Sequence, residues 1–430
     1  MYTRRIVVTG LGAMTPVGND AATFWQSLVE ARSGVRPIEG LAEAGARPSY
    51  AAEVKDLTPE GAGLPRKRLK MMGRQAQLAY AAVTQAWNDA ALGGDEAVDH
   101  RRLGIILGVG MLNADVDELG RAFHATSGGS TNGSFDVVAF GRLGAPQLFP
   151  LWLLRHIPNL AAAHASISLD AQGPSNTIAT GCVAAANAIG EAARLIARGD
   201  ADVILAGGTD ARTTALALLR YRELGWVATR EDVPPAAVSA PFDESATGFV
   251  CGEGAGILVL ESLEHAQQRG ARIYAELGGY AAANDAHELL TPHPEGRGLT
   301  RAMSLCFERA GMTKDEVDAI FAPAPSVPAF DRAIAASLGT VFGTAGAPPI
   351  TATRSLLGHS HAASSALDSI AAIKALETSR LPATLNLCRP IADLPFVHGA
   401  SRSGPLSTAV VGAYGFGGHA AALAWRRYEA

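Results

Sequence analysis

A chain of 430 residues, 48% hydrophobic and 18% charged, is long enough to bury a large core as two domains or one large α/β body. Its formal charge of -5, from 36 Lys and Arg against 41 Asp and Glu, argues against a nucleic-acid binder and leaves only local basic patches to explain. Four cysteines (Cys182, Cys251, Cys306 and Cys388) without CxxC spacing do not suggest a disulfide framework and fit a reducing cytoplasm.

The N-terminal "MYTRRIVVTGLG" runs from basic residues straight into a strand expected over Arg5–Thr9. It lacks the apolar core and cleavage site of a signal peptide, and no apolar run reaches membrane-spanning length. A helix is expected over Ala21–Ala31. "RKRLKMMGR" follows, where Arg66, Lys67, Arg68, Lys70 and Arg74 place five positive charges in nine residues of an acidic protein. The cluster reads either as a solvated helix face or as a docking patch for an acidic partner. A helix over Gln75–Ala91 and a strand over Leu103–Gly108 come next. A Gly-, Ser- and Asn-rich excursion from Ser127 to Gln147 then passes into bulky "LFPLWLLRHIPNL", too long for a simple connection. Strands over Val203–Ala206, Ala255–Glu261 and Thr408–Val411, with helices over Gly298–Ala310 and His361–Leu376, complete the rhythm of a layered α/β protein.

Between these lies "NTIATGCVAAANAIGEAARLIARG". A β-prone run over Asn176–Thr180 stops at Gly181 and Cys182, and a helix over Val183–Arg198 ends at Gly199. A thiol at a helix N-terminus meets about half a positive charge and free N–H groups, so Cys182 is expected to have a lowered pKa and to act as a nucleophile. Gly181, Ala184 and Ala185 leave room for a substrate. The other three cysteines read as small packing residues.

"PITATRSLLGHSHAASSALDSIAAIKALE" repeats the plan of strand, loop and small-residue helix. The chain therefore reads as two similar halves, each carrying one reactive residue to a helix N-terminus. His359, expected to open that helix, should stay neutral and serve as base or hydrogen-bond donor. His359 and His361 have no third ligand at useful spacing, so no metal site is expected. "GAYGFGGHAAAL" is either a tight turn or a loop that brings backbone N–H groups to a ligand. "GLGAMT" lacks the third glycine of a dinucleotide fingerprint.

Five stretches together, "RIVVTGLGAMTPVG", "GPSNTIATGCVAAANAIGEAARLIARGDADVILAGGTDA", "PFDESATGFVCGEGAGILVLE", "TATRSLLGHSHAASSALDSIAA" and "YGFGGHAAAL", resemble the β-ketoacyl-acyl-carrier-protein synthases of the elongating type. The resemblance covers nearly the whole chain. It implies a thiolase-like five-layered α-β-α-β-α body built from two related halves. Residues 1–265 would carry Cys182 and the excursion, and residues 266–430 would carry His359 and the Gly-rich gating loop. By the same resemblance, Cys182 takes an acyl chain from the phosphopantetheine arm of an acyl carrier protein, with no cofactor of its own. Decarboxylated malonyl-carrier then attacks the thioester. The backbone N–H groups of Cys182 and Phe416 would form an oxyanion hole, Phe416 with Gly415 and Gly417 would gate the acyl pocket, and Met111 would line it. The Arg66–Arg74 cluster would dock the carrier.

This sequence also departs from the family's pattern. The segment that matches an HGTST-like motif reads "PAPSV", so Pro323 stands where the family has a second active-site histidine, and Pro325 and Val327 replace two threonines that hold the pantetheine arm. Arg354 replaces a lysine, and Asp368 replaces its usual Glu partner. Proline has neither a side-chain donor nor an N–H, which leaves His359 to do two jobs and predicts impaired or altered condensation. Two readings follow from the resemblance. One is an acyltransferase of fatty-acid or polyketide assembly, homodimeric or paired with a ketosynthase. The other is a non-condensing subunit like the chain-length factors, which typically lack the cysteine retained here.

Overall fold

The computed structural model describes residues 4–39, 47–59, 63–94, 97–111, 116–127, 135–344 and 346–429. Ten strands share one sheet: β1 (Ile6–Met14), β2 (Leu103–Val109), β3 (Ser175–Ile178), β4 (Val203–Ala211), β5 (Glu253–Ser262), β6 (Ala275–Asn284), β7 (Ala319–Phe321), β8 (Ile350–Thr351), β9 (Thr408–Tyr414) and β10 (His419–Arg426). They lie in the order β8-β7-β9-β10-β6-β1-β5-β4-β2-β3.

The first and second sets of five repeat one pattern. β3 is parallel to β2 and β2 to β4, while β4–β5 and β5–β1 are antiparallel. Likewise β8 is parallel to β7 and β7 to β9, while β9–β10 and β10–β6 are antiparallel. Among the described residues the two half-sheets pair only through Val7 with Glu276 and Val8 with Ala275.

Four helices matter for the site: α1 (Arg74–Asp89), α2 (Ala184–Arg198), α3 (Arg297–Ala310) and α4 (Ser364–Thr378). Side chains alternate across each strand, which sorts most of the interior into three large cores. Ile106, Ile204 and Leu258 from one half, and Val411 and Leu423 from the other, share the core that holds α2 and α4. Ile105, Leu205 and Ile257 point to the opposite face with α1, and Val410, Ala422 and Ala424 point away with α3. The layers therefore run α1, half-sheet, α2 with α4, half-sheet, α3. The glycines of "GLGAMT" serve this packing, because a Cβ on Gly10 would lie 2.3 Å from the Ala86 carbonyl oxygen and one on Gly12 1.9 Å from that of Ala82. Helix α1 rests on bare backbone there.

Of the excursion read between Ser127 and Gln147, residues 128–134 lie outside the described residues. Around them, the rings of Phe123, Phe135 and Phe140 cluster with centroids 5.4 to 5.7 Å apart. Phe123, Phe135, Val137 and Val138 remain exposed in the single chain. No described helix is long and apolar enough to cross a membrane.

Candidate active site

β3 ends at Ile178, and Gly181 at φ 61° turns the chain through one 3-10 turn, Gly181–Val183, into α2. That left-handed conformation suits glycine, and it sets Cys182 at the head of the helix. The sulfur is buried, with Cys182 only 4% exposed. His359 reaches it from the other half of the molecule. Gly358 turns at φ 63°, the His359 N–H donates to the Val250 carbonyl at 2.7 Å, and the His359 carbonyl accepts from the Gly252 N–H at 3.0 Å. So held, His359 Nε2 lies 3.3 Å from Cys182 Sγ, and its Nδ1 is 3.4 Å from Ser364 Oγ. His359 does not itself open the helix, since a 3-10 turn over His361–Ala363 intervenes before α4.

Burial decides the protonation states. Enclosure pushes the Cys182 thiol up to about 12, against the opposing pull of Arg354, Arg212 and the Phe416 backbone amide. The lowered thiol pKa expected from the helix terminus is thus corrected: loss of hydration outweighs the nearby cations and the Phe416 amide. His359 moves the opposite way, well below 6.5, because burial and then Arg354 disfavour its cation. The pair is a neutral thiol facing a neutral imidazole, and the expected neutral His359 agrees.

Arg354 and Asp368 form a buried ion pair, Nη1 to Oδ2 at 2.8 Å, and the same nitrogen reaches the Ala322 carbonyl at 3.3 Å. Thr353 Oγ1 donates to the other Asp368 oxygen. The next residue after Ala322 is Pro323, so the loop lacking the histidine is tied to this pair. Asp331 holds the far end of that loop, accepting from the N–H groups of Ser326 at 3.1 Å and Phe242 at 2.8 Å.

The Gly-rich loop closes over the sulfur. A Cβ on Gly415 would come 2.9 Å from Cys182 Cβ, and Gly417 adopts φ 76°. The Phe416 ring stacks on Trp226 and meets the edge of Phe330 at 5.3 Å. Gly417 makes the turn, and the Phe416 N–H is directed at the Cys182 sulfur.

Met111 is 62% exposed, and its carbonyl accepts from Arg212 Nη2 at 3.0 Å, so within the single chain it lines no enclosed acyl pocket among the described residues. The Arg66–Arg74 cluster is not one helix face: a 3-10 turn covers Leu69–Met71, and only Arg74 begins a helix. Arg74 pairs with buried Glu253 at 2.7 Å, and Arg68 donates to Ser168 Oγ at 3.1 Å. Arg66, Lys67 and Lys70 are exposed, as is Arg74 despite its ion pair, and Arg68 is half-buried. A cavity of about 580 Å³ beside Arg74, Arg155, His156 and Thr213 does not include Cys182.

Sequence reasoning missed three contributors. Trp226 carried no signal. Arg212 lies beside Asp210, 2.8 Å from Nε to Oδ1, and both are buried close enough to Cys182 to act on its charge. His361 was read only as half of a metal pair without a third ligand. The structure supplies that third donor, since the donor atoms of Cys182, His359 and His361 all lie within 4.8 Å of one another, a grouping that could hold a soft divalent ion.

Two half-sheets enclosing paired helices, with a cysteine from one half against a histidine from the other, define a thiolase-like protein with a cysteine–histidine centre. The chain belongs to the beta-ketoacyl synthase family: the model for that family's N-terminal domain matches residues 3–266, and the model for its C-terminal domain matches residues 274–388. It is 36% identical to a 3-oxoacyl-[acyl-carrier-protein] synthase 2 of Synechocystis sp. over 99% of both chains, and 34% identical to that of Coxiella burnetii over 97% of both. Among solved structures it resembles the type II PKS ketosynthase in complex with its acyl-carrier protein in AntDE:AntF, at 30% identity and a TM-score of 0.86 over 99% of this chain and 100% of that one. It also resembles the ishigamide ketosynthase/chain length factor, at 29% identity and a TM-score of 0.85 with the same coverage.

Proposed function

We propose that this chain is an acyltransferase of the β-ketoacyl-acyl-carrier-protein synthase type, working in type II fatty-acid or polyketide assembly in the cytoplasm. It takes an acyl group from the phosphopantetheine arm of an acyl carrier protein onto Cys182 and passes it to a malonyl-derived carbon. The observation that carries this reading is the 3.3 Å contact between Cys182 Sγ and His359 Nε2, buried beneath the Phe416 loop. As sulfur attacks the carrier thioester, His359 takes the thiol proton and returns it to the departing carrier thiolate. The N–H groups of Cys182 and Phe416 hold the oxyanion, and the Arg354–Asp368 pair fixes the loop beside them.

The remaining assignments follow from the same reading. Residues 1–265 and 266–430 are the two domains. Arg66, Lys67 and Lys70 meet the acidic carrier, and Met111 lines the acyl tunnel once a second subunit covers it. The exposed Phe123, Phe135, Val137 and Val138 support such a dimer. A second reading, a chain-length-factor-like partner of a ketosynthase, is favoured by Pro323 in the histidine's place.

Incubation with acyl-carrier followed by peptide mass spectrometry separates the two. An acyl group on Cys182, absent from Cys182→Ala, supports the enzyme. No acylation with any chain length supports the partner subunit.

A further inference from the structure

Carbon–carbon bond formation at this sulfur needs one more donor than the acyl-transfer step does. Loss of carbon dioxide from a malonyl thioester leaves an electron pair on the enolate, and its oxygen must be met by an N–H in a site closed to water. His359 is already committed to the sulfur and to Ser364. Pro323 has no donor to offer.

We propose that His361 provides this donor, an inference that rests on the acyl-transfer reading above. Its Nδ1 lies 4.0 Å from Cys182 Sγ, and its ring centroid is 4.3 Å from that of His359. The residue is buried, yet Nε2 has no hydrogen-bond partner among the described residues. A buried nitrogen left unmatched beside a nucleophile is a group in search of a ligand atom. The surroundings fix the ring where it stands. Tyr221 stacks on it at 4.9 Å and 12°, and Phe249 meets it edge-on at 5.2 Å and 87°. The backbone holds φ 42°, a conformation unfavourable for a β-carbon-bearing residue, while the N–H of Ala362 is taken by Asp210. Burial, His359, Arg212 and Arg354 keep the imidazole neutral, with one N–H to give and no cation to desolvate.

The chemistry balances with these two imidazoles. In the second half-reaction the malonyl C–C bond breaks, carbon dioxide leaves, and the enolate oxygen accepts from His361. The enolate carbon bonds to the acyl carbonyl on Cys182. The tetrahedral oxyanion collapses, the C–S bond breaks, and the Cys182 thiolate recovers a proton from solvent through His359.

The test uses His361→Leu and His361→Gln in the full chain, with acyl-enzyme, carbon dioxide and β-ketoacyl product followed separately. We expect acylation of Cys182 to stay near the wild-type rate. Carbon dioxide release and product should fall by about 10²-fold or more in the Leu variant, with partial recovery in Gln, whose amide can donate. The pH profile of Cys182 alkylation should keep its shape. Equal condensation by His361→Leu overturns the proposal, as does a loss of acylation as large as the loss of condensation, which would make His361 a packing residue. A wild-type protein that acylates but never condenses also overturns it, yet leaves acyl transfer standing. Absence of acylation in the wild type removes the underlying reading instead. Should the Leu variant not fold, His361→Phe, which keeps an aromatic ring against Tyr221 but has no N–H to give, decides between the same outcomes.

Discussion

Trp226 lies flat on Phe416, ring centroids 3.7 Å apart and planes 14° from parallel. The gate over Cys182 is therefore clamped by a partner 190 residues away in sequence. A stacked aromatic pair contributes about 0.5–1.5 kcal/mol beyond its buried area. Trp226→Ala should release the loop and raise the rate of Cys182 alkylation up to about tenfold, read by quenched-flow labelling. An unchanged rate would show that the Phe416 loop is held by other contacts.

Gly415→Ala should act in the opposite direction. Its new methyl would collide with Cys182 Cβ at 2.9 Å and shift the sulfur away from His359. A displacement of about 1 Å typically costs about 10²-fold. Acyl-enzyme formation should drop by that factor with the far-UV spectrum intact, and near-wild-type acylation would mean that the loop yields without moving the sulfur.

Removing one partner of the buried Arg354–Asp368 pair strands a charge, at a cost of about 3–5 kcal/mol. Asp368→Ala should lower the denaturation midpoint strongly, while a paired replacement, Arg354→Met with Asp368→Leu, should recover much of the loss. Denaturant titration of the two variants beside the wild type checks this. Equal midpoints for the single and paired variants would show that the cost lies in packing.

The two titrations at the centre pull stability from opposite ends of the pH scale. The raised Cys182 thiol contributes stability that is complete below its unfolded pKa of about 9 and is lost as pH rises toward about 12. The depressed His359 and His361 contribute stability that is complete above about 6.5 and is lost as pH falls below it. Denaturation midpoints against pH should fall on both sides, with the acid limb flattened in His361→Leu. Cys182→Ala should flatten the alkaline limb only in part, because burial raises Cys251 and Cys306 as well.

Charge reversal separates two kinds of basic residue within one nine-residue run. Glu at Lys67 and Lys70 should weaken acidic-carrier binding and reduce its salt dependence, since exposed contacts are screened over about 8 Å at physiological ionic strength. Arg74→Glu should instead destabilise the fold by facing buried Glu253. Carrier affinity measured at two salt concentrations, beside thermal melts, tests the pair of outcomes.

The corner at Cys182 was legible because backbone and chemistry coincide there: a glycine that must take a positive φ, then a thiol, then an uninterrupted small-residue helix. The two halves were visible in the same way. Strands β6 and β10 were not, since "AELGGYAAAN" and "HAAALAWR" are rich in alanine, and only their cross-strand pairing overrides that residue's helical preference. His361 escaped for a related reason. Spacing along the chain sets it two residues from His359, but only the left-handed backbone at its own position turns both rings toward one sulfur. The thiol's charge state was misjudged because a helix terminus can be read from sequence, whereas the complete enclosure that overrides it depends on the Gly-rich loop arriving from the other half.

The half-sheets touch through two residue pairs, and the sulfur and its imidazole come from opposite sides of that seam. The 3.3 Å separation is thus a gauge of how the halves are docked. A small shear between them would disarm the thiol while every strand stayed paired within its own half, so inactivation on heating or in denaturant should run ahead of the loss of secondary structure.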